Sequence, residues 1–296
     1  MSRTRAAWLC LGLLAPATAM AAAPNIDLGM YKLVGTYALP AIPASEASAV
    51  TYNWDTDTLF VLGDEGDALV EVSKTGAQLS VMTLTGFDDT EGVTYTGNGQ
   101  FVLTEERLQD AYQMTYVGGG SVDRSALLTS DLGPTVGNIG VEGISYDPLS
   151  GDFVYVKERL QQEVNHAQIV FGAAGTTAVV NSLFVPDLGT SDLSDVQLLS
   201  IVPGLQGGDD ADNLLIYSQE SEILLEVDQA GSILSQFDFS SITDDAEGVT
   251  IDFDNTIYVV GEAPAMYVLQ PVPLPAAAWL FASALVGLGV LQRRKF

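Results

Sequence analysis

One pattern recurs along this chain and constrains it more than any other. A carboxylate and a small residue open it, a run of alternating β-formers follows, then a polar turn, a second run and another carboxylate. It reads EASAVTYNWDTDTLFVLGDE from Glu46, EGVTYTGNGQFVLTEE from Glu91, EGISYDPLSGDFVYVKE from Glu142 and EGVTIDFDNTIYVVGE from Glu247. Glu91 follows Glu46 by 45 residues, Glu142 follows Glu91 by 51, and Glu247 comes 105 later, two periods on. A further unit therefore belongs near residue 195, where SDVQLLSIVPGLQGGDDADNLLIYSQE keeps both runs and closes on Glu220. Five units of about 50 residues, each able to supply four strands, predict an all-β fold, a five-bladed β-propeller over residues 24–270, rather than a β-sandwich. The polar turns (Asn53 to Asp57, Asn98–Gly99, Asp252 to Asn255) resemble single calcium loops, but Asn, Asp and Gly between two strands suit hairpins.

In a propeller the innermost strand of each blade faces the central channel, so a residue repeated at its start forms a ring. The spacing places Glu46, Glu91, Glu142, Asp195 and Glu247 in that ring. Like charges converging in a partly desolvated channel repel by several kcal/mol per pair. Protons, basic side chains or a metal ion can relieve this. Arg107, Lys157 and Arg159 are the basic residues near the repeat ends. An oxygen-only donor set in a wide ring suits Ca²⁺ better than octahedral Mg²⁺, and one histidine without a mature cysteine disfavours zinc. The competing expectation is that each carboxylate pins its own strand through backbone hydrogen bonds. A second series, Asp64–Glu65, Glu105–Glu106, Glu158, Glu220 and Glu262, closes the units and is expected at one mouth of the channel.

Several of these units, matching in order across most of Leu33–Leu269, resemble the SdiA-regulated domain family of bacterial propellers. That resemblance implies a five-bladed propeller with a calcium ion in its central funnel, and it brings no assigned activity. The EG-x-x-Y/I opening is also similar to the first metal-ligand motif of gluconolactonase- and paraoxonase-type propellers, an analogy between folds.

The two ends carry addresses. MSRTRAAWLCLGLLAPATAMAAAP has two arginines, an apolar run from Ala6 to Leu14 and small residues, the pattern of a signal peptide over residues 1–23 cleaved by signal peptidase after Ala22 or Ala23. Over residues 271–296, PVPLPAAAWLFASALVGLGVLQRRKF has an apolar segment from Ala276 to Leu291 followed by Arg293, Arg294 and Lys295. That is a short transmembrane helix with a cytoplasmic basic stop. VPLPAAAWLF, the small-residue span and RRK together resemble a PEP-CTERM sorting signal of the VPLPA type. The resemblance implies an exosortase as processing partner, a membrane-anchored precursor, and transfer to the cell surface or extracellular matrix.

Taking away the five basic residues of these ends moves the formal charge from −27 to −32. Such a chain excludes a basic nucleic-acid footprint. Its one cysteine, Cys10, lies in the signal peptide, so disulfide and thiolate chemistry are excluded from the mature protein. His166 is the sole histidine, and no GxSxG, GxGxxG or HExxH motif occurs. Two functional expectations follow. One is a non-enzymatic, calcium-stabilised envelope or matrix propeller that binds a protein partner or polysaccharide. The other is a calcium-dependent hydrolase of lactones or phosphoesters, with a funnel carboxylate as base.

Overall fold

The computed structural model describes residues 25–64, 67–158 and 161–272, and these form five blades around one axis. In chain order the inner strands are Ala47–Asn53, Thr90–Gly97, Val141–Tyr146, Asp195–Leu198 and Ala246–Ile251, one for each of blades 1 to 5. Each pairs antiparallel with the next strand outward, and so on to a fourth. The predicted fold and blade count hold. No helix of the described residues is long and apolar enough to cross a membrane. The expected signal peptide at 1–23 and the expected transmembrane segment at 276–291 lie outside the described residues.

Blade 5 closes the circle. Its inner three strands come from the C-terminal part of the chain, and its outermost strand, Tyr31–Ala38, comes from the start, pairing with Ala265–Pro271. The two ends of the fold meet there, with Val272 N donating to Met30 O at 2.7 Å. Leu33 and Leu269 lie level with Ile251, the far end of the inner strand, and Tyr31 and Pro271 lie two residues beyond, so the chain leaves the propeller on the face opposite Glu247. Blade 1 gains a fifth strand when Ser121–Asp123 of blade 2 pairs parallel with Gln78–Thr85.

Burial follows the layering. The inner and middle strands of blade 5 are buried along almost their whole length, whereas Tyr31–Ala38 alternates between buried or half-buried and exposed. Five apolar clusters fill the five seams between neighbouring blades, such as Phe60, Leu62, Val93 and Phe101 between blades 1 and 2. Val154, Val196, Ile216 and Leu225 do the same between blades 3 and 4. The hydrophobic effect therefore acts between blades, and no blade can bury its faces alone.

Near the axis the seams are polar. Tyr95 N donates to Thr51 Oγ1 at 3.1 Å, Tyr146 N to Thr94 Oγ1 at 3.0 Å, Leu198 N to Ser145 Oγ at 2.9 Å, and Tyr52 N to Thr250 Oγ1 at 3.2 Å. Thr250 Oγ1 in turn donates to Gln197 Oε1 at 2.8 Å, which joins blade 4 to blade 5 and completes a belt across all five seams. Thr250 is fully buried. Thr250→Val keeps its shape but strands the Tyr52 N–H and the Gln197 carbonyl, so it should destabilise the protein by about 1–3 kcal/mol in urea denaturation. A change under a few tenths would mean that the belt contributes nothing.

Candidate metal centre in the propeller funnel

The belt fixes which residues are equivalent. Thr51, Thr94, Ser145, Gln197 and Thr250 share one level, and three residues earlier stand Ser48, Glu91, Glu142, Ser194 and Glu247. Glu91 and Glu247 are skipped by the ladder: the pairing jumps from Thr90 to Gly92 and from Ala246 to Gly248. Ser48 is skipped in the same way between Ala47 and Ala49, and Glu142 falls within the irregularity between Val141 and Ile144. A β-bulge re-aims one side chain, and here it turns these residues into the funnel. The glycine that follows lets the next blade approach. A Cβ on Gly248 would lie 2.8 Å from Ala49 Cα, and one on Gly92 would lie 2.9 Å from Glu142 O.

Three of the five predicted ring residues, Glu91, Glu142 and Glu247, therefore occupy the shared position. Glu46 stands two residues before its blade's ring position, which is held by Ser48; it is exposed at the mouth with a positive φ of 45°. In blade 4 the ring residue is Ser194. Asp195 sits at the level of the glycines, 3 % exposed, where its carboxylate accepts from Val196 N and Val249 N, both at 2.7 Å. It ties blade 4 to blade 5 instead of facing the funnel.

The funnel is a cavity of about 330 Å³ with polar residues throughout its lining. Among the described residues, ten carboxylates (Glu46, Asp64, Asp89, Glu91, Glu106, Glu142, Glu158, Asp192, Glu247 and Glu262) share it with one guanidinium, that of Arg107. The closing series is a true ring with one substitution: Asp64, Glu106, Glu158 and Glu262 line the cavity, and blade 4 supplies Gln219 rather than Glu220. Gln219 Nε2 donates to Glu262 Oε1 at 3.1 Å. Glu105 points away to a bidentate pair with Arg124 Nη1 at 2.6 and 2.8 Å. Glu65 and Arg159 lie outside the described residues.

Asp89 and Asp192 were not foreseen. Asp192 is committed to structure, accepting from Ser218 Oγ and from Gln219 N and Glu220 N at 3.1–3.2 Å. Asp89 is the charge partner of Arg107, whose Nε lies 2.9 Å from Asp89 Oδ2. Arg107 also donates to Asp88 at 3.4 Å and to Asn138 at 3.0 Å. Lys157 turns out of the funnel toward Glu163 at 3.4 Å. His166 lies elsewhere, in a shallow outer cavity of about 230 Å³, with Nε2 3.1 Å from Asp152 Oδ2.

Burial with so little positive charge raises the proton affinity of these groups. Desolvation first, then the neighbouring charges of Glu247, Asp64 and Asp89, pushes the Glu91 carboxyl well above the usual range. Desolvation, Glu91 and Glu106 do the same to Glu142. Glu247 is pushed up to about 8 by burial and by Glu262, and Asp89 to about 6 by burial and Glu106, against the pull of Arg107. The Ser48 hydroxyl, in reach of both Glu91 and Glu247, offsets part of the rise.

Two carboxylate groups are tighter than the rest. Asp64, Asp89 and Glu91 bring one oxygen each within 4.8 Å, and so do Glu106, Glu142 and Glu158. Glu106 Oε2 is buried and accepts no hydrogen bond, whereas Asp89 Oδ2 has Arg107 Nε at 2.9 Å. The donor set is all oxygen, anionic and partly unsatisfied, which fits a hard divalent cation and does not fit a soft one. Chemically the site can hold protons, hold such a cation, or do both in competition.

A family model described as SdiA-regulated matches residues 30–270. Among solved structures the chain is similar to glutaminyl cyclase of Myxococcus xanthus, at 11% identity and a TM-score of 0.54, over 81% of this chain and 95% of that one. It is also similar to a catalytically inactive virginiamycin B lyase from Staphylococcus aureus with quinupristin, at 11% identity and a TM-score of 0.42, over 77% and 67% of the respective chains. At 11% identity the likeness to the cyclase extends to the fold alone.

Proposed function

The chain belongs to the SdiA-regulated family, and from that premise we propose that it is an exported, calcium-binding β-propeller of the cell envelope or extracellular matrix. The observation that carries this reading is the convergence, among the described residues, of ten carboxylates on one cavity with one arginine and a buried Glu106 oxygen that lacks a donor. Glu91, Glu142 and Glu247 would hold the ion, with water supplying further oxygen ligands. Bound there, calcium supplies positive charge to the axis and polarises any oxygen ligand that enters the mouth. The residues of the chain then do the rest: Ser48 and Ser194 leave two gaps in the acidic ring, and Asp64, Glu158, Gln219 and Glu262 present acceptors around the rim. That arrangement suits a partner with hydroxyl or cationic groups, such as a polysaccharide or a basic protein segment.

Signal peptidase and an exosortase act on the ends in this reading, and the C-terminal segment holds the precursor in the membrane. Because the described chain leaves the propeller on the face opposite Glu247, the acidic mouth of an anchored precursor would point away from the bilayer, where anionic headgroups would otherwise repel it.

The test is a melting curve with calcium and with chelator. A single site filled to 100 times its Kd contributes about 2.7 kcal/mol, which raises Tm by roughly 5–10 °C for a domain of this size. A Tm that responds to neither additive would remove the metal from the account. A second reading, calcium-dependent hydrolysis of a lactone or phosphoester, is favoured by one observation: Glu247 is pushed to about 8 inside the cavity, the range of a general acid or base. Chelator-sensitive turnover of a lactone and aryl-ester panel, lost in Glu247→Gln, would establish it over the binding reading.

A further inference from the structure

Glu106 is 1 % exposed, and only one of its oxygens is accounted for. Oε1 accepts from Gly140 N at 2.9 Å, across the seam from blade 2 to blade 3, whereas Oε2 is buried and has no hydrogen-bond partner. Buried acceptors are almost always satisfied, and a charged one left bare is costly. The groups that approach it are carboxylates: Glu106, Glu142 and Glu158 each bring an oxygen within 4.8 Å of the others.

Two described basic residues next to this group in the chain, Arg107 and Lys157, pair with other carboxylates. Arg107, the residue after Glu106, reaches back to Asp88 and Asp89 and on to Asn138. Lys157, the residue before Glu158, pairs with Glu163. The two tight carboxylate groups are thus unequal. Asp64–Asp89–Glu91 has a fixed cation of its own in Arg107, and the group between blades 2 and 3 does not have that one.

We propose that a second hard divalent cation sits in the funnel wall between blades 2 and 3, held by Glu106, Glu142 and Glu158 beside the axial ion. This rests on the reading of the funnel as a cation site. Glu142 faces both positions and would bridge them. Glu106 would give its bare Oε2 to the ion while Oε1 stays on Gly140 N, which already holds the side chain in place. The wall ion would also join blades 2 and 3 where their own side chains repel.

Ion counting separates the possibilities. The full-length chain, kept in mild detergent and stripped with chelator, is dialysed to equilibrium against radioactive calcium at neutral pH. The wild type should take up about two ions per chain, and Glu106→Gln and Glu158→Gln about one each, with the axial ion retained. Glu247→Gln should also keep about one, and combining it with Glu106→Gln should leave none. Circular dichroism confirms that each variant is folded, and Glu158→Gln serves if Glu106→Gln is not. One ion in the wild type that survives Glu106→Gln and Glu158→Gln overturns the wall site and leaves the axial one standing. One ion lost equally in Glu106→Gln and Glu247→Gln also overturns it, because the two positions would be a single site. No uptake at all sinks the metal reading of the funnel itself.

Discussion

Held free of divalent cations, the protein should lose stability as the pH rises from about 5 to about 9. Burial and the neighbouring Glu262 push the Glu247 carboxyl up to about 8, from 4.5 for an ordinary glutamate. Between those values the folded state keeps a proton that the unfolded chain has released, so raising the pH draws the equilibrium toward unfolding. The contribution is complete below the unfolded value and is lost as the pH passes through the folded one. Asp89, at about 6 against 3.8, acts in the same sense at lower pH. Glu91 and Glu142, both pushed upward, add to it. The loss over this range should be of the order of a few kcal/mol, since a tenfold change in proton affinity is about 1.4 kcal/mol. Urea midpoints measured in chelator at pH 5, 7 and 9 will show it. Saturating calcium should flatten the slope, because the ion replaces the protons. A midpoint that stays level or rises from pH 5 to pH 8.5 without metal would mean that the funnel carboxylates do not strain the fold.

Glu142→Gln should have opposite effects with and without calcium. Glu142 faces Glu91 on one side and Glu106 on the other, and both raise its proton affinity. Removing its charge removes two repulsions while keeping the shape and one acceptor. In chelator at pH 8 the variant should be more stable than the wild type, with a higher urea midpoint. The same change removes a ligand from the ring, so the rise in Tm on adding calcium should shrink by at least half. A variant destabilised in chelator, or one that keeps the full calcium response, would count against the role given to Glu142. A residue that costs stability when bare and restores it when loaded is the expected signature of a binding site rather than of packing.

Much of this was legible in the sequence, and the misplacements are instructive. Blade count and the channel-facing strands followed from the spacing of Glu91, Glu142 and Glu247 and from the two-period gap before the last of them. Glu46 opens its unit and Asp195 falls where the period asks for one, but the ring positions of those two blades hold Ser48 and Ser194. The hydroxyl belt carried the missing register: Thr51, Thr94, Ser145 and Thr250 each stand three residues after the ring position. Aligning SAVT with EGVT and EGIS puts Ser48 in the ring without any structure. Blade 4 was harder, because Gln197 replaces the hydroxyl residue and Asp195 replaces the glycine. Its carboxylate does the seam's work by capping Val249 N. Asp89 and Asp192 were hidden because they precede the repeated segment, in connections of variable length. The split of Glu105 from Glu106 is simple strand alternation: adjacent residues face opposite ways, one to Arg124 and the other to the funnel.

The central claim is that the funnel carboxylates hold a hard cation near the axis. Diffraction from crystals grown with calcium, collected at a wavelength where calcium scatters anomalously, tests it most directly. The account predicts an anomalous peak inside the cavity, about 2.3–2.6 Å from oxygens of Glu91, Glu142 and Glu247, and the wall site adds a second peak beside Glu106. A funnel holding only water and protonated carboxyl pairs, with no anomalous peak at saturating calcium, would contradict it.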